Sequence, residues 1–371
     1  MIARPLFPLA IALLALAAPP RAANEPRDAH GYRMARPPYA FRFPRDFASH
    51  PGYRTEWWYV TGHLSGPAGA WGFEVTWFRF GIDPALARGA SAWAPHTVWF
   101  EHVALTDEAR GTFAWREDAS RPALGLAGGD SLRERVWVHD DTLALASDGV
   151  THRLVARLPG EARDALALTL VPRKPPVVHG ARGVSWKSAH TASHYFSLTR
   201  LDARGTLLRG GRQSAVQGLA WMDHEFFSET DTAQAGWDWF SIQLDDGREL
   251  MLYRLRRHDG TIEPASGGTW VEPDGRSRHL TAAEWSASAT GAWTSPVTRA
   301  RYPSGWRVRV PGEGIELALD PTVRDQELVT RDTGVTYWEG SVHVRGTARG
   351  APIRGTGYVE LTGYAGPALA R

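Results

Sequence analysis

Asp223, His224 and Glu225 stand in a row between large apolar side chains, in the segment WMDHEFF at residues 221–227. Burying charged groups without partners is costly. Three ionisable residues in such a run therefore form either a paired structural knot or a working site. In an extended chain Asp223 and Glu225 point to one face and His224 to the other. Two carboxyls close together in apolar surroundings push one pKa upward, leaving a neutral acid beside an ionised partner. General acid catalysis uses that pairing. The competing reading is an ion-pair cluster with arginines that stitches two domains together.

Other segments offer related groups. Glu56 precedes Trp57, Trp58 and Tyr59, which reads either as an acid at the mouth of an aromatic cavity or as core aromatics with Glu56 bonded to an amide or an arginine. His102, after Glu101, is a candidate proton shuttle or a satisfied core histidine. Tyr253 and the Tyr337-Trp338-Glu339 run read as core or cavity rim, and Trp237 and Trp239 as candidate cavity walls. His102, Asp223, His224 and Glu225 could converge on a divalent ion, but no short-range ligand spacing is present, and no metal is expected. There is also no P-loop, no dinucleotide fingerprint after a strand and no nucleophile elbow. Nucleotide cofactors and α/β-hydrolase chemistry are unsupported, and a secreted hydrolase would lack a recognisable nucleophile.

The elements that must hold these residues read as short alternating segments separated by turns. EWWYVTGHL and AWGFEVTWFRFGI form a hairpin across SGPAG. In GWDWFSIQLDDGRELMLYRLRR, Asp246-Gly247 predicts a two-residue type I′ turn. That turn pairs Phe240 with Tyr253, Asp238 with Leu255 and Ile242 with Met251. It puts Asp238, Phe240, Ile242, Met251 and Tyr253 on one face, and Trp237, Trp239, Leu250 and Leu252 on the other. Both faces are apolar, so the hairpin should be central and covered on each side. VPRKPPVVHG (171–180) reads as a long connection, and TAAEWSASA as at most a turn of helix. About 320 residues of antiparallel strand are too many for one small barrel. The predicted fold is all-β, with two antiparallel barrels in tandem meeting near residues 205–230.

Composition bounds the rest. With 371 residues, 43% hydrophobic, the chain can bury a large core, and a net charge of +2 gives no case for nucleic acid. Its 17 Trp imply broad aromatic surfaces inside a β-rich fold or around an apolar ligand. With no cysteine, disulfides, thiolate metal sites and a lipid anchor are excluded. The N-terminus, with Arg4, an apolar run from Leu6 to Ala18 and small residues to Ala23, has the pattern of a secretory signal; an uncleaved anchor is the alternative. The expected organisation is a signal peptide at 1–23, an extended lead-in at 24–42, an N-terminal domain at 43–226 and a C-terminal domain at 227–366. The expected location is periplasmic or secreted, and the expected state a monomer.

The segments FPRDFASHPGYRTEWWYVTGHL, EHVALTD, AWMDHEFF, GWDWFSIQLDDGRELMLYRLR, YWEGSV and GYVELTGY together resemble the family that joins AttH-type proteins to carotenoid 1,2-hydratases, from about Phe43 to Tyr364. The resemblance implies two lipocalin-like barrels. It also implies, for the hydratases, an Asp-His-Asn-Trp segment and, one hairpin later, Tyr-x-Asp. Asp223, His224 and Tyr253 match. Glu225, Phe226 and Leu255 stand where Asn, Trp and the second Asp are expected. Were that Asp the proton donor, Glu225 or Asp223 would have to replace it. For AttH-type members the resemblance implies secretion and neighbouring export permeases of the ABC type.

Hydrating an isolated C=C bond needs a strong, dry acid and a cavity that shields a carbocation. Trp and Tyr faces stabilise such a cation by roughly 1–2 kcal/mol each when desolvated. No cofactor is required. Two functions follow as expectations: a hydratase using Asp223, His224, Glu225 and Tyr253, with Glu56, Trp57, Trp58, His102, Trp237 and Trp239 around an isoprenoid or lipid-like molecule; or a non-catalytic carrier of such a molecule.

Overall fold

The computed structural model describes residues 25–83, 96–161 and 163–366. The expected signal segment at 1–23 lies outside the described residues. Alternating apolar positions with Gly-rich turns give strands almost throughout. The first sheet is built from β1 (Thr55–Gly66), β2 (Gly69–Gly81), β3 (Thr97–Asp107), β4 (Thr112–Ser120), β5 (Ala127–Gly129), β6 (Arg135–Val138), β7 (Asp141–Leu145), β8 (His152–Arg157), β9 (Ala165–Pro172), β10 (Val177–Val178), β11 (Ser185–Trp186), β12 (Ala192–Arg209) and β13 (Arg212–Phe227). Its order is β4-β3-β2-β1-β13-β12-β9-β8-β7-β6-β5, with β10 and β11 beside β12. The sheet curls until its ends approach. There Arg116 of β4 reaches the Arg157 carbonyl and pairs with Asp141 of β7.

The second sheet contains β14 (Gln234–Leu244), β15 (Glu249–Arg257), β16 (Gly267–Val271), β17 (Ser277–Thr281), β18 (Ser286–Ala289), β21 (Trp306–Val310), β22 (Ile315–Pro321), β23 (Glu327–Val329), β24 (Thr336–Ala348) and β25 (Ala351–Thr362). Its order is β17-β16-β15-β14-β25-β24-β22-β21-β18, with β23 beside β24. The short β19 (Ala292–Thr294) and β20 (Arg301–Pro303) pair with each other. The fold is thus all-β: a nearly closed barrel followed by a curled half-barrel, as in tandem lipocalin-like domains. The first sheet ends at Phe227 and the second begins at Gln234.

Each sheet fills its own interior. Trp58, Val60, Phe73, Trp77, Phe196, Leu198 and Met222 belong to the first core. Phe240, Ile242, Leu250, Leu252, Trp306 and Trp338 belong to the second. A third cluster, with Tyr59, Tyr195, Trp221, Trp239, Met251, Tyr253 and Tyr358, lies in the seam between the sheets.

The first hairpin forms as expected, with Gly66 opposite Gly69. The hairpin around Gly247 differs by one residue. Trp239 pairs with Tyr253, Phe240 with Leu252 and Ile242 with Leu250, not Phe240 with Tyr253. Leu244 N–H donates to the Arg248 carbonyl, closing a three-residue loop in which Gly247 alone has a positive φ, 87°. Asp245 thus joins the turn, so the two-residue type I′ geometry is not used. A one-residue slip exchanges the faces of one strand. Met251 and Tyr253 therefore join Trp237 and Trp239 in the seam, while Leu250 and Leu252 join Phe240 and Ile242 in the core. The hairpin is central and covered on both faces, as expected. The 281–289 segment is a turn leading into strand β18, not helix. In the 171–180 connection, Lys174 crosses to the second sheet and bonds Glu249 at 2.6 Å.

Candidate functional site

The seam is a wedge. At its narrow end Gly72 of β2 faces the second sheet so closely that a Cβ would lie 2.5 Å from Ser341 Cβ and 2.7 Å from the Tyr358 hydroxyl. Toward the other end larger residues hold the sheets apart and open a cavity of about 1060 Å³. Trp57, Phe78, Phe80, Tyr195, Trp237 and Tyr253 supply much of its aromatic wall. The 229–235 connection, with exposed Thr230 and Thr232, lies at its mouth.

Strand alternation decides which candidates reach this space. Asp223 and Glu225 of β13 both face it, together with Trp57, His102, Trp237, Trp239 and Tyr253. His224, Glu56 and Trp58 do not: they face the interior of the first barrel. There His224 Nε2 sits 3.0 Å from Glu56 and its ring lies against Trp58 and Phe196. Glu56 also accepts bonds from Ser49 Oγ, the His50 amide and Arg79 Nε. Burial opposes ionisation of Glu56, but Arg79, His224 and His50 hold its carboxyl well below the usual range. Burial holds the His224 imidazole below its usual pKa. These groups form a knot that ties the 46–50 segment to β1, β2 and β13. The cluster of His50, Glu56 and His224 has the donor types of a metal site. However, Arg79 already neutralises Glu56, and the other ring nitrogen of His50 is held by Asp46 at 3.1 Å, so the set does not suit a cation.

In the cavity, Asp223 is 4% exposed and accepts three donors: Tyr195 Oη at 2.5 Å, Trp221 Nε1 at 2.6 Å and Ser197 Oγ. Burial pushes its pKa up to about 7 against those donors, and the neighbouring Glu225 adds to the rise. Glu225 pairs with Lys187 at 2.9 Å. The Lys187 ammonium also lies over the rings of Tyr253 (4.8 Å) and Tyr195 (5.0 Å), a cation–π arrangement. His102 Nδ1 lies 2.7 Å from Tyr337 Oη, and burial drives its pKa down to about 3. A neutral imidazole there can bond a ligand but will not act as a cationic acid.

The site also contains an acid that the sequence reading passed over. Glu360, in the GYVELTGY segment, faces the cavity from β25. It accepts Trp237 Nε1 at 2.9 Å. Burial, with the charges of Asp223 and Glu225, raises it to about 7. Directly opposite it on β24 is Glu339, fully buried, which accepts the Tyr59 hydroxyl at 2.6 Å. Burial and the nearby Glu360 and Glu74 keep Glu339 well above the usual carboxyl range. Alternation along GYVELTGY puts Glu360 on the Tyr358 face, but nothing local says that this face meets another sheet. Leu255, where the hydratase pattern has Asp, lines the same cavity.

The AttH-like family model matches residues 34–364. The solved structure of a protein designated AttH, from Nitrosomonas europaea, is 35% identical; the match covers 90% of this chain and 99% of that one, with a TM-score of 0.79. The crystal structure of kievitone hydratase from Nectria haematococca shares the fold at 14% identity, covering 92% and 96% of the two chains, with a TM-score of 0.67. The kievitone hydratase of Fusarium solani subsp. phaseoli is 23% identical over 155 residues, which span 41% of this chain and 43% of that enzyme.

Proposed function

Since the chain belongs to the AttH-like family, we propose that it is a cofactor-independent hydratase, adding water to an isoprenoid-type C=C bond of an apolar molecule held between its two sheets. The observation that carries this reading is the pair Asp223 and Glu225, side by side and opening into an aromatic cavity. Hydratase-type relatives support it. Burial keeps a carboxyl protonated near neutral pH, so that it can donate a proton, and the rings of Trp57, Trp237 and Trp239 can face a developing cation. Glu225 is charge-balanced by Lys187 at the same wall. In this reading the protein acts outside the cytoplasm as a monomer, beside an ABC-type exporter.

Purified protein incubated with neurosporene or lycopene should yield a hydroxylated product, and Asp223→Asn should abolish it. Unchanged turnover in that variant would remove Asp223 from the mechanism. A carrier is the second reading, favoured by a cavity large enough for a drug-sized or larger ligand. It expects saturable quenching of Trp emission with the ligand recovered unaltered.

A further inference from the structure

We propose that the two carboxyls facing each other's side of the seam divide the reaction: Glu360 delivers the proton to the double bond, and Asp223 takes the proton from the attacking water. This assignment rests on the hydratase reading above.

Hydrogen-bond direction argues for it. The Trp221 indole can only donate, and it donates to Asp223. Trp239 Nε1 donates to the Tyr195 oxygen at 3.1 Å, which leaves the Tyr195 proton directed at Asp223. Ser197 completes three donors on one carboxyl. A carboxyl so surrounded is stabilised as the anion. Glu360 has a different setting. Among the described residues it receives one donor, Trp237 Nε1, and no Lys, Arg or His forms an ion pair with it. Its cross-strand neighbour Glu339 is another carboxyl with no ion-pair partner among the described residues, and Oε2 of Glu339 has no hydrogen-bond partner. Two adjacent carboxyls without a cation cannot both carry charge. Both Asp223 and Glu360 are pushed up to about 7, so near neutral pH the coupled set holds protons to distribute. Three donors against one place the charge on Asp223 and leave the proton on Glu360. Glu360 is also partly open toward the cavity, where a substrate carbon can reach it.

The step balances. The π pair of the alkene forms a C–H bond with the Glu360 proton, and the O–H pair stays on Glu360 as a carboxylate. The cation left at the more substituted carbon takes a lone pair from water. The extra proton of that oxygen passes to Asp223, and solvent water returns it to Glu360 before the next turnover. Alkene plus water becomes a tertiary alcohol.

Infrared spectra of the ligand-free protein test the assignment without substrate. At pH 6.5 the protonated-carboxyl C=O region should lose one band in Glu360→Gln and keep it in Asp223→Asn. In the lycopene assay both variants should fall at least 100-fold, and Glu360→Asp should recover part of the rate. A band that survives in Glu360→Gln, or disappears in Asp223→Asn, overturns the division of roles even if hydration is observed. Wild-type protein that hydrates neither lycopene nor neurosporene, with the band still following Glu360, overturns the hydratase reading and the catalytic assignment with it, while the protonation pattern stands.

Discussion

His224 and Asp223 are chain neighbours with opposite surroundings, so replacing each should have opposite consequences. His224 is fully buried against Trp58, Phe196 and Phe226, and its Nε2–H donates to the Glu56 carboxylate. Truncation to Ala removes an aromatic-sized ring from a packed core, a change that costs about 3–5 kcal/mol for Phe. It also removes one bond to a charged group, about 1.5–3 kcal/mol. Glu56 keeps Ser49, His50 and Arg79, so the two losses overlap, and about 3–5 kcal/mol in total is expected. Domains are stable by only about 5–15 kcal/mol. Asp223→Asn keeps the shape and one of the two acceptor oxygens in the cavity wall, and stability should fall by only about 1 kcal/mol. Urea unfolding followed by Trp emission measures both. With a slope of about 3 kcal/mol/M, His224→Ala should move the midpoint down by about 1–1.7 M, and Asp223→Asn by about 0.3 M or less. A His224→Ala protein with wild-type stability and no hydratase activity would refute the placement of His224 in a structural knot.

Trp57→Ala and Trp237→Ala each remove a large ring from the cavity wall; losing about 1.5–3 kcal/mol of apolar contact should weaken lycopene binding roughly 10- to 100-fold, read by fluorescence quenching, with little change in the urea midpoint. His343 and His63 from the two sheets grip Glu108 at 3.0 and 3.4 Å. Burial works against Glu108, but bonds from both histidines lower it to about 2, and the Glu108 bond raises His343. The Glu108 contribution is present above its unfolded pKa near 4.5 and is lost as pH falls toward 2. The His343 contribution is present below its unfolded pKa near 6.5 and is lost as pH rises through its raised folded value. Thermal melts of His343→Ala should therefore show less loss of stability than wild type between about pH 6 and 8; parallel profiles would refute the clamp.

Much of this arrangement was legible in the residues. Alternation alone put Asp223 and Glu225 on one face and His224 on the other, because a strand has a fixed period of two. The same rule separates Trp57 from Glu56 and Trp58, although the expectation gathers all three around the ligand. What it lacked was the identity of each face, since both sides of these strands are apolar. The Gly247 hairpin shows a second limit: Asp245-Asp246-Gly247 suits loops of two or three residues, and the choice was made by which side chains the distant β25 and the first sheet could accept. Glu360 escaped notice because a single carboxylate in a Gly-flanked strand carries no local sign that Glu339 and Trp237 will stand beside it. The expected tandem barrels are present, and the cavity described above lies between them.

That location has an evolutionary consequence. Lipocalin-type pockets inside a barrel cannot change shape without repacking the hydrophobic centre that keeps the domain folded. Here the walls are the outward faces of two independently filled units, meeting where Gly72 permits close approach. Substitutions on those faces, or a slight tilt of one unit against the other, can reshape the chamber while leaving both hydrophobic cores intact.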